Sequence, residues 1–364
     1  MRTHPLVAVA LHPGAAQSPD QISINTCQAL RLVLHTFPDW ARNLKRRLVD
    51  AKDWTNAESA LAEIRACGAL LEAGLPVQLG GKDAATGAKA EFHVTLNGVE
   101  TIIEVWTRNL SNEDIQRMSN ELAECATTRV TNGGTITTAV STNAPFGAPD
   151  PNKPGDSILT NVISRVASIK EREHQAHDRR AFIVWADLQS HNTMRFDFPH
   201  DLQPLKSWNG LVSSGGYWHA LYGRKGDHLL EEDAGLQRSN TMQHDGRYYQ
   251  TMEHGEKTRI SAFIFSSPET TALMENPAAA NPLPEALRSQ FIGLPWFDIS
   301  QSLANWPEGL VERTIEVQRE TIKAVAESLG LATAAHPSCL SKARAMVRRC
   351  KVAIVRRLSA AEDR

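Results

Sequence analysis

The chain has 364 residues, of which 41% are hydrophobic and 22% charged, and its 39 Lys and Arg against 41 Asp and Glu give a formal net charge of -2. Length and composition predict two compact units or one large elaborated domain. No apolar run approaches the roughly 18 residues that a membrane span needs, and the start, MRTHPLVAVALHPG, is too short in apolar residues for a signal peptide. We therefore expect a cytoplasmic protein without a membrane partner. The charge balance excludes nucleic-acid binding through bulk positive charge, although it is compatible with a local basic face.

The cysteines lie far apart in the chain and form no CxxC pair. They are Cys27, Cys67, Cys125, Cys339 and Cys350. An odd number at such spacings indicates neither a disulfide framework nor a zinc cluster. We expect reduced thiols that pack as small hydrophobic side chains.

The sequence predicts an N-terminal helical extension over residues 1–55. Its two helical stretches end in the basic run Lys45-Arg46-Arg47. From position 56 to 73 the apolar spacing predicts a further helix, with Gly74 as its stop. Glu63 lies in this helix within a stretch rich in Ala and Leu. A short strand, PVQL, follows at 76–79.

The segment EFHVTL-NG-VETIIEVWT predicts a β-hairpin, because Asn-Gly supplies the two positive φ angles of a type I′ turn. The two-residue loop fixes the register, which places Phe92 opposite Ile103. One face of the hairpin is almost wholly apolar and is the predicted core side: Phe92, Val94, Leu96, Val99, Thr101, Ile103 and Val105. The opposite face carries Glu91, His93, Thr95, Glu100, Ile102, Glu104 and Trp106.

In this register Glu91 lies directly across from Glu104. Like charges opposite each other, with Cβ atoms about 4.5–5.5 Å apart, destabilise a sheet unless solvent or a cation separates them. Two interpretations stay open: the solvated face of an ordinary hairpin, or a cation-binding face.

After the hairpin the pattern predicts a helix near 112–126, a long amphipathic helix in DSILTNVISRVASIKEREHQ and a buried strand at 181–188. Lys170 falls one turn beyond Val166, on the border of the buried face of that helix. The order is therefore helix, strand, hairpin, helices, strand. Further strands are predicted near 217–222 and 259–266, as extensions of the central sheet.

This order, with Glu63 in ALAEIRACGALLEAGLPV, Glu91 at the start of EFHV and Glu104 in IIEVWTR, resembles the core of the PD-(D/E)XK nuclease superfamily. The resemblance covers roughly residues 56–188. It implies an α/β (α+β) fold with a restriction-endonuclease-like mixed sheet flanked by helices, and extra strands and helices in the C-terminal half. The implied domains are a nuclease-like unit at 56–270 and a C-terminal helical region at 271–364.

The resemblance also implies a site for Mg²⁺ or Mn²⁺ on Glu63, Glu91 and Glu104, where the cation positions a phosphodiester and activates water. A lysine is expected two residues after the second carboxylate, but this sequence has Trp106 there. Lys170 is the best replacement and completes the predicted catalytic set. Arg108 stays on the Glu104 face but is a poor proton-transfer group, so we expect it to contact nucleic acid instead.

The predicted C-terminal helix, residues 341–358, is basic and amphipathic. Its cations include Lys342, Arg344, Arg348, Arg349 and Lys351, with no acidic residue among them. They form either the solvated face of a docked helix or a contact to a phosphate backbone. The scattered histidines, among them His219 and His228, have no metal-ligand spacing and are expected to be surface or hydrogen-bonded residues.

The leading hypothesis is a metal-dependent nuclease that hydrolyses phosphodiester bonds, with DNA as the expected substrate. The alternative keeps the fold without the chemistry: a degenerate nuclease core that serves as a nucleic-acid-binding or assembly subunit. A third reading is an unrelated α+β interaction protein, in which Glu63 lies far from Glu91 and Glu104. A homodimer and a larger complex both stay open.

Overall fold

A computed structural model describes residues 21–48, 54–80, 91–107, 127–131, 134–138, 156–169, 180–189, 202, 206–208, 211–213, 215–233, 236–250, 258–267, 270–276 and 278–297, and nine positions between 316 and 328. Its helices are α1 (Gln21–Thr36), α2 (Pro38–Leu48), α3 (Trp54–Glu72), α4 (Ile158–Ala167), α5 (Gly216–Tyr222) and α6 (Glu285–Phe291). Helical residues also occur between 316 and 328. None of the helices in these ranges is long and apolar enough to cross a membrane.

The strands are β1 (Val77–Leu79), β2 (Phe92–Leu96), β3 (Val99–Thr107), β4 (Thr127–Thr131), β5 (Gly134–Thr138), β6 (Ala181–Asp187), β7 (Lys206–Trp208), β8 (Leu211–Ser213), β9 (His228–Asp233), β10 (Leu236–Thr241), β11 (Ile260–Ser266) and β12 (Thr271–Glu275). Six of them form one mixed sheet in the order β1-β2-β3-β6-β11-β12. Strands β3, β6 and β11 are parallel, and the other neighbours are antiparallel. The protein is thus mixed α/β, with a six-stranded mixed sheet flanked by helices.

The predicted hairpin is confirmed in turn and register. Asn97 and Gly98 have φ angles of 52° and 78°, and Phe92 pairs with Ile103. The stop of the preceding helix is also confirmed: Gly74 has φ 73°, and Leu75 N donates to Leu70 O at 3.0 Å, which satisfies a terminal carbonyl of α3. The Asn-Gly turn therefore sets the register of β2 and β3, and Gly74 sets the end of the helix that precedes β1.

The sheet is covered on both faces. The first face packs against α1, α2 and α3 in a cluster that includes Phe92, Ile103, Ile183, Trp185 and Ile264. The second face packs against α4 and α5 in a cluster that includes Ile102, Phe182, Val184, Phe263 and Phe265. Strands β6 and β11 are buried along their whole length, which is why both read as continuous apolar runs.

The prediction of a strand near 217–222 is wrong. These residues form α5, every residue of which is buried. A short, fully buried apolar run lacks the polar positions that separate a helix from a strand, so periodicity could not decide between them. The strand predicted near 259–266 is confirmed as β11, and beyond residue 270 the sheet continues with β12.

Candidate functional site

Two of the predicted acidic residues belong to neighbouring positions of the hairpin. Glu91 immediately precedes β2 and Glu104 belongs to β3. The Glu91 carboxylate accepts a hydrogen bond at 3.1 Å from the backbone N of Val105, the neighbour of Glu104. Both residues are half-buried, and Glu104 Oε2 is closed to solvent. The Glu91 side chain therefore reaches the backbone next to Glu104.

Glu63 has a different partner. Its carboxylate is 2.8 Å and 2.9 Å, through its two oxygens, from Arg47 Nη1 on the neighbouring helix α2. The Glu63 side chain is only 11% exposed. The Arg47 guanidinium thus neutralises the carboxylate that the resemblance assigns to a cation. Because it is paired with Glu63, Arg47 does not act as an unpaired cation of the run Lys45-Arg46-Arg47.

The sheet also separates Glu63 from Glu104. Glu104 pairs with Val184 in the parallel register of β3 and β6, and Val184 packs in the second-face cluster. Because side chains alternate along a strand, Glu104 points to that second face. Helix α3, which carries Glu63, packs on the first face.

These positions give no support to the predicted cation site on Glu63, Glu91 and Glu104. Within the part of the chain that the structure describes, no group of three His, Cys, Asp or Glu side chains is arranged to hold a metal ion. The physical reasons are the ion pair to Arg47 and the opposite faces of the sheet. The residues present do not fit Mg²⁺ or Mn²⁺ as a three-carboxylate site.

The lysine position of the motif is apolar in structure as well as in sequence. Trp106 is half-buried and packs against the second-face cluster, next to Ala186 of β6. An indole fixed there supplies no positive charge to a phosphate. The predicted replacement Lys170 lies outside the described residues, as do Arg108 and the C-terminal cations Lys342, Arg344, Arg348, Arg349 and Lys351.

The rest of the polar hairpin face is an ion-pair cluster. Glu100 is hydrogen-bonded to His93 and, at 2.9 Å, to Arg180. Burial raises the pKa of the Glu100 carboxyl, but the hydrogen bonds and charges of His93 and Arg180 outweigh it and hold that pKa below its usual value. The Glu100 carboxylate is thus paired with cationic and hydrogen-bonding groups of the protein itself.

A second polar cluster was not predicted from the sequence. At the carboxyl end of β6, Asp187 accepts two hydrogen bonds from Arg65 of α3, at 2.9 Å to Oδ2 and 2.8 Å to Oδ1. Their side chains are 0% and 1% exposed, respectively. Gln189 adds a backbone donor to Asp187 and a side-chain contact to Ser266 of β11.

This cluster lies where parallel strands end, an edge at which open α/β sheets often bind ligands. Here its hydrogen bonds are made within the protein, and Asn25 of α1 joins it through Gln189 at 3.2 Å. The cluster therefore ties α1 and α3 to the sheet. The sequence signals were an arginine in the Ala-rich helix and an aspartate at the end of a buried strand.

A basic surface lies on α2. Arg42, Lys45 and Arg46 are exposed at spacings of three and four residues, and we call them the α2 basic face. Arg42 pairs with Asp39, whereas Lys45 and Arg46 have no ion-pair partner among the described residues. Trp40 fixes this helix against the sheet, because its ring forms a T-shaped contact with Phe92 of β2 with centroids 5.7 Å apart.

No protein-family model, no curated protein and no solved structure matches this chain. The functional conclusion therefore rests on the arrangement of its own residues.

Proposed function

We propose that this protein combines a nuclease-like core that has lost hydrolytic activity with a basic surface that binds nucleic acid. The observation that carries the proposal is the ion pair between Glu63 and Arg47, which occupies a carboxylate that a metal-dependent nuclease would need for its cation. Trp106 in place of the lysine is the second departure, and it too removes a charge required for phosphodiester chemistry.

The arrangement of the sheet supports the nuclease-like part of the proposal. The elements run α3, β1, the β2–β3 hairpin, the β4–β5 pair, α4 and β6, and apart from β4 and β5 the strands follow the order on which the resemblance rests. Strand β6 is adjacent and parallel to β3, with α3 and α4 on opposite faces. Fold alone does not assign function, so the argument for nucleic acid needs a binding surface.

The α2 basic face is the surface within the described residues that supports phosphate binding. Lys45 and Arg46 extend from a helix whose other side is fixed in the core by Ala41, Leu44 and Leu48. Cations on a rigid support contact the phosphate backbone without reading bases, and each contact releases counterions. We expect sequence-independent, salt-sensitive affinity, to which the basic C-terminal segment adds.

The test is a fluorescence-anisotropy titration of labelled single-stranded and duplex DNA and RNA with the full chain in EDTA. The native protein should bind, and log K should fall linearly with log salt concentration. The double variant Lys45→Glu, Arg46→Glu should bind more weakly, with a salt slope reduced by about 1.8 for duplex DNA if both cations contact phosphate.

The matched control is Lys225→Glu, which reverses an exposed cation in the loop after α5. It should leave the affinity and the salt slope unchanged. An unaltered affinity in the α2 double variant would remove the proposed surface, and absence of binding by the native chain would remove the proposed function.

A second candidate, a Mg²⁺- or Mn²⁺-dependent nuclease, is favoured by one observation. The Glu91 carboxylate accepts a hydrogen bond from the backbone N of Val105, so two acidic residues occupy neighbouring positions of the hairpin. The test is a cleavage assay with either metal on the native chain, Glu104→Ala and the same-face control Glu100→Ala. Metal-dependent cleavage that is lost only in Glu104→Ala would establish this candidate in place of the first.

A further inference from the structure

The described residues between 316 and 328 are helical and lie beside the end of α5 and the start of β9, and we call this segment the strap. A cavity of about 310 Å³ lies between the strap and this part of the protein. Among the nine described strap residues, only Arg319 is not exposed. Segments with few buried side chains open at a lower free energy than the core, so the strap can detach while the sheet stays folded.

Arg319 holds the strap in place. Its Nε lies 3.2 Å from Asp227 Oδ2, and its Nη2 donates a hydrogen bond of 2.7 Å to the carbonyl of Tyr222, the last residue of α5. The guanidinium also lies 5.9 Å from the centre of the Tyr249 ring. One guanidinium thus connects the strap to α5, to the residue before β9 and to Tyr249.

His219 lies in the last turn of α5, on the wall of the same cavity. It is 0% exposed, and neither ring nitrogen has a hydrogen-bond partner among the described residues. The expectation of a surface or hydrogen-bonded histidine is therefore wrong for His219. This position accommodates the neutral ring better than the imidazolium, because an imidazolium needs water or acceptors for two N–H groups.

The charges around His219 also oppose its protonation. Burial, helped by the charge of Arg319, lowers the pKa of the imidazole to about 3. Asp227 does not offset Arg319, because the two are paired with each other. The ionisable groups on the cavity wall are Asp227 and His228 at the start of β9, and Arg319, Glu320 and Lys323 on the strap. Glu320 and Lys323 are exposed and opposite in charge, so water screens both.

The other surroundings of α5 are uncharged. The side chains packed against Gly216 and Gly223, at its two ends, are apolar: Leu159 and Val162 of α4, and Met242 after β10. Within α5, Tyr222 stays neutral because burial raises its pKa well above the ordinary value. Arg319 is therefore the charge that protonation of His219 acts against.

We infer that acid detaches the strap: when His219 takes up a proton, Arg319 leaves Asp227 and Tyr222, and the strap moves off α5 so that water reaches the imidazolium. Helix α5 itself stays in place, because every one of its residues is buried. Above pH 6.5 the ring is neutral in both forms, so pH has little effect. As the pH falls below 6.5, the open form binds a proton that the closed form excludes, and the ratio of open to closed strap rises.

The experiment is hydrogen–deuterium exchange of the full chain, followed by mass spectrometry at pH 5, 7 and 8. Dividing each exchange rate by that of the same unfolded peptide at the same pH gives the opening constant, which is the ratio of open to closed strap. We expect this constant to rise about 25-fold from pH 7 to 5 and to stay nearly level from pH 7 to 8. A constant that is unchanged between pH 7 and 5 would overturn the inference.

Urea separates detachment of the strap from global unfolding. At low urea concentrations the opening constant of the strap should stay level, because detachment exposes little surface, whereas that of β6 should rise. Equal urea dependence in the strap and in β6 would mean that only global unfolding occurs, and the inference would fail.

Two substitutions test the titrating group and the contact that holds the strap. His219→Phe keeps a planar ring and should remove the pH dependence, whereas the control His244→Gln, at an exposed histidine, should retain it. Arg319→Met should remove the protection of the strap already at pH 7, and the control Lys323→Met, at an exposed cation of the same strap, should keep it. Native pH dependence in His219→Phe, or native protection in Arg319→Met, would contradict the inference.

This inference does not depend on nucleic-acid binding. The double variant Lys45→Glu, Arg46→Glu should show the native pH dependence of the strap, so failure of strand binding and failure of this inference are distinguishable. The pH and urea measurements use the native chain and stay decisive if a variant fails to fold.

Discussion

The buried ion pair between Arg65 and Asp187 offers the sharpest test of how this fold is held together. The perturbation is Arg65→Met, which keeps most of the apolar stem and removes the guanidinium. In the native protein both Asp187 oxygens accept from Arg65, at 2.9 Å and 2.8 Å, in a site that excludes solvent. After the substitution Oδ1 keeps the backbone donor of Gln189 at 3.1 Å, and Oδ2 loses its Arg65 donor.

The magnitude follows from this geometry. Removing one partner of a fully buried pair leaves an uncompensated charge and costs about 3–5 kcal/mol of unfolding free energy. The control is Arg42→Met, which breaks an ion pair with Asp39 in which both side chains are mostly exposed. Such exposed pairs contribute about 0–1 kcal/mol, because water screens them.

The assay is urea denaturation followed by circular dichroism, with the unfolding free energy compared between variants at equal slope. Arg65→Met should be destabilised by several kcal/mol more than Arg42→Met. The double variant Arg65→Met, Asp187→Asn should recover part of the loss, because it removes the stranded charge. If Arg65→Met costs no more than the surface control, the pair does not tie α3 to the sheet and the reasoning fails.

Three further predictions concern packing, pH and thiol chemistry. Gly68→Ala should lower the free energy of unfolding in urea by about 1–3 kcal/mol, because the new Cβ would lie 2.3 Å from Ala29 Cβ. An increase in stability, which Gly→Ala gives in an exposed helix, would contradict the close contact of α1 and α3. Burial lowers the pKa of His219 in the folded protein to about 3, so as the pH falls below 6.5 the unfolded chain takes up a proton that the folded chain does not. From pH 7 to 5 the free energy of unfolding should therefore fall by about 2 kcal/mol on account of His219. Urea denaturation at both pH values measures this loss, which should be absent in His219→Phe. Burial raises the pKa of the Cys67 thiol to about 12, so little reactive thiolate forms. Mass spectrometry after treatment of the native protein with a maleimide should show Cys67 unmodified. Modification of Cys67 before the partly exposed Cys27 would refute its burial.

The parts of the fold that the sequence predicted are those set by local chemistry. Asn97 and Gly98 dictate the turn, and a two-residue turn dictates the register. Gly74 ends α3 for a comparable reason, because a residue with positive φ closes a helix. Helix α5 cannot be told from a strand by sequence pattern, because all of its residues are buried and carry no periodic signal.

The candidate site depends on contacts between distant residues, and these were not readable from spacing. Glu63 is a carboxylate in the expected helix, but its pairing with Arg47 is set by how α2 packs on α3. Asp187 and Arg65 are 122 positions apart in the chain and meet only through the tertiary fold. Among the residues that the structure describes, neither ring nitrogen of His219 has a hydrogen-bond partner, and this burial follows from packing that a single histidine in a sequence does not reveal.

The most direct test of the central claim is an anisotropy titration of labelled DNA performed in parallel in EDTA and in Mn²⁺, with the integrity of the strand checked at the end of each titration. We predict saturable, salt-sensitive binding with the same affinity in both buffers and an intact strand. Strand cleavage that requires Mn²⁺ and disappears in Glu104→Ala, or the absence of binding in both buffers, would contradict the account.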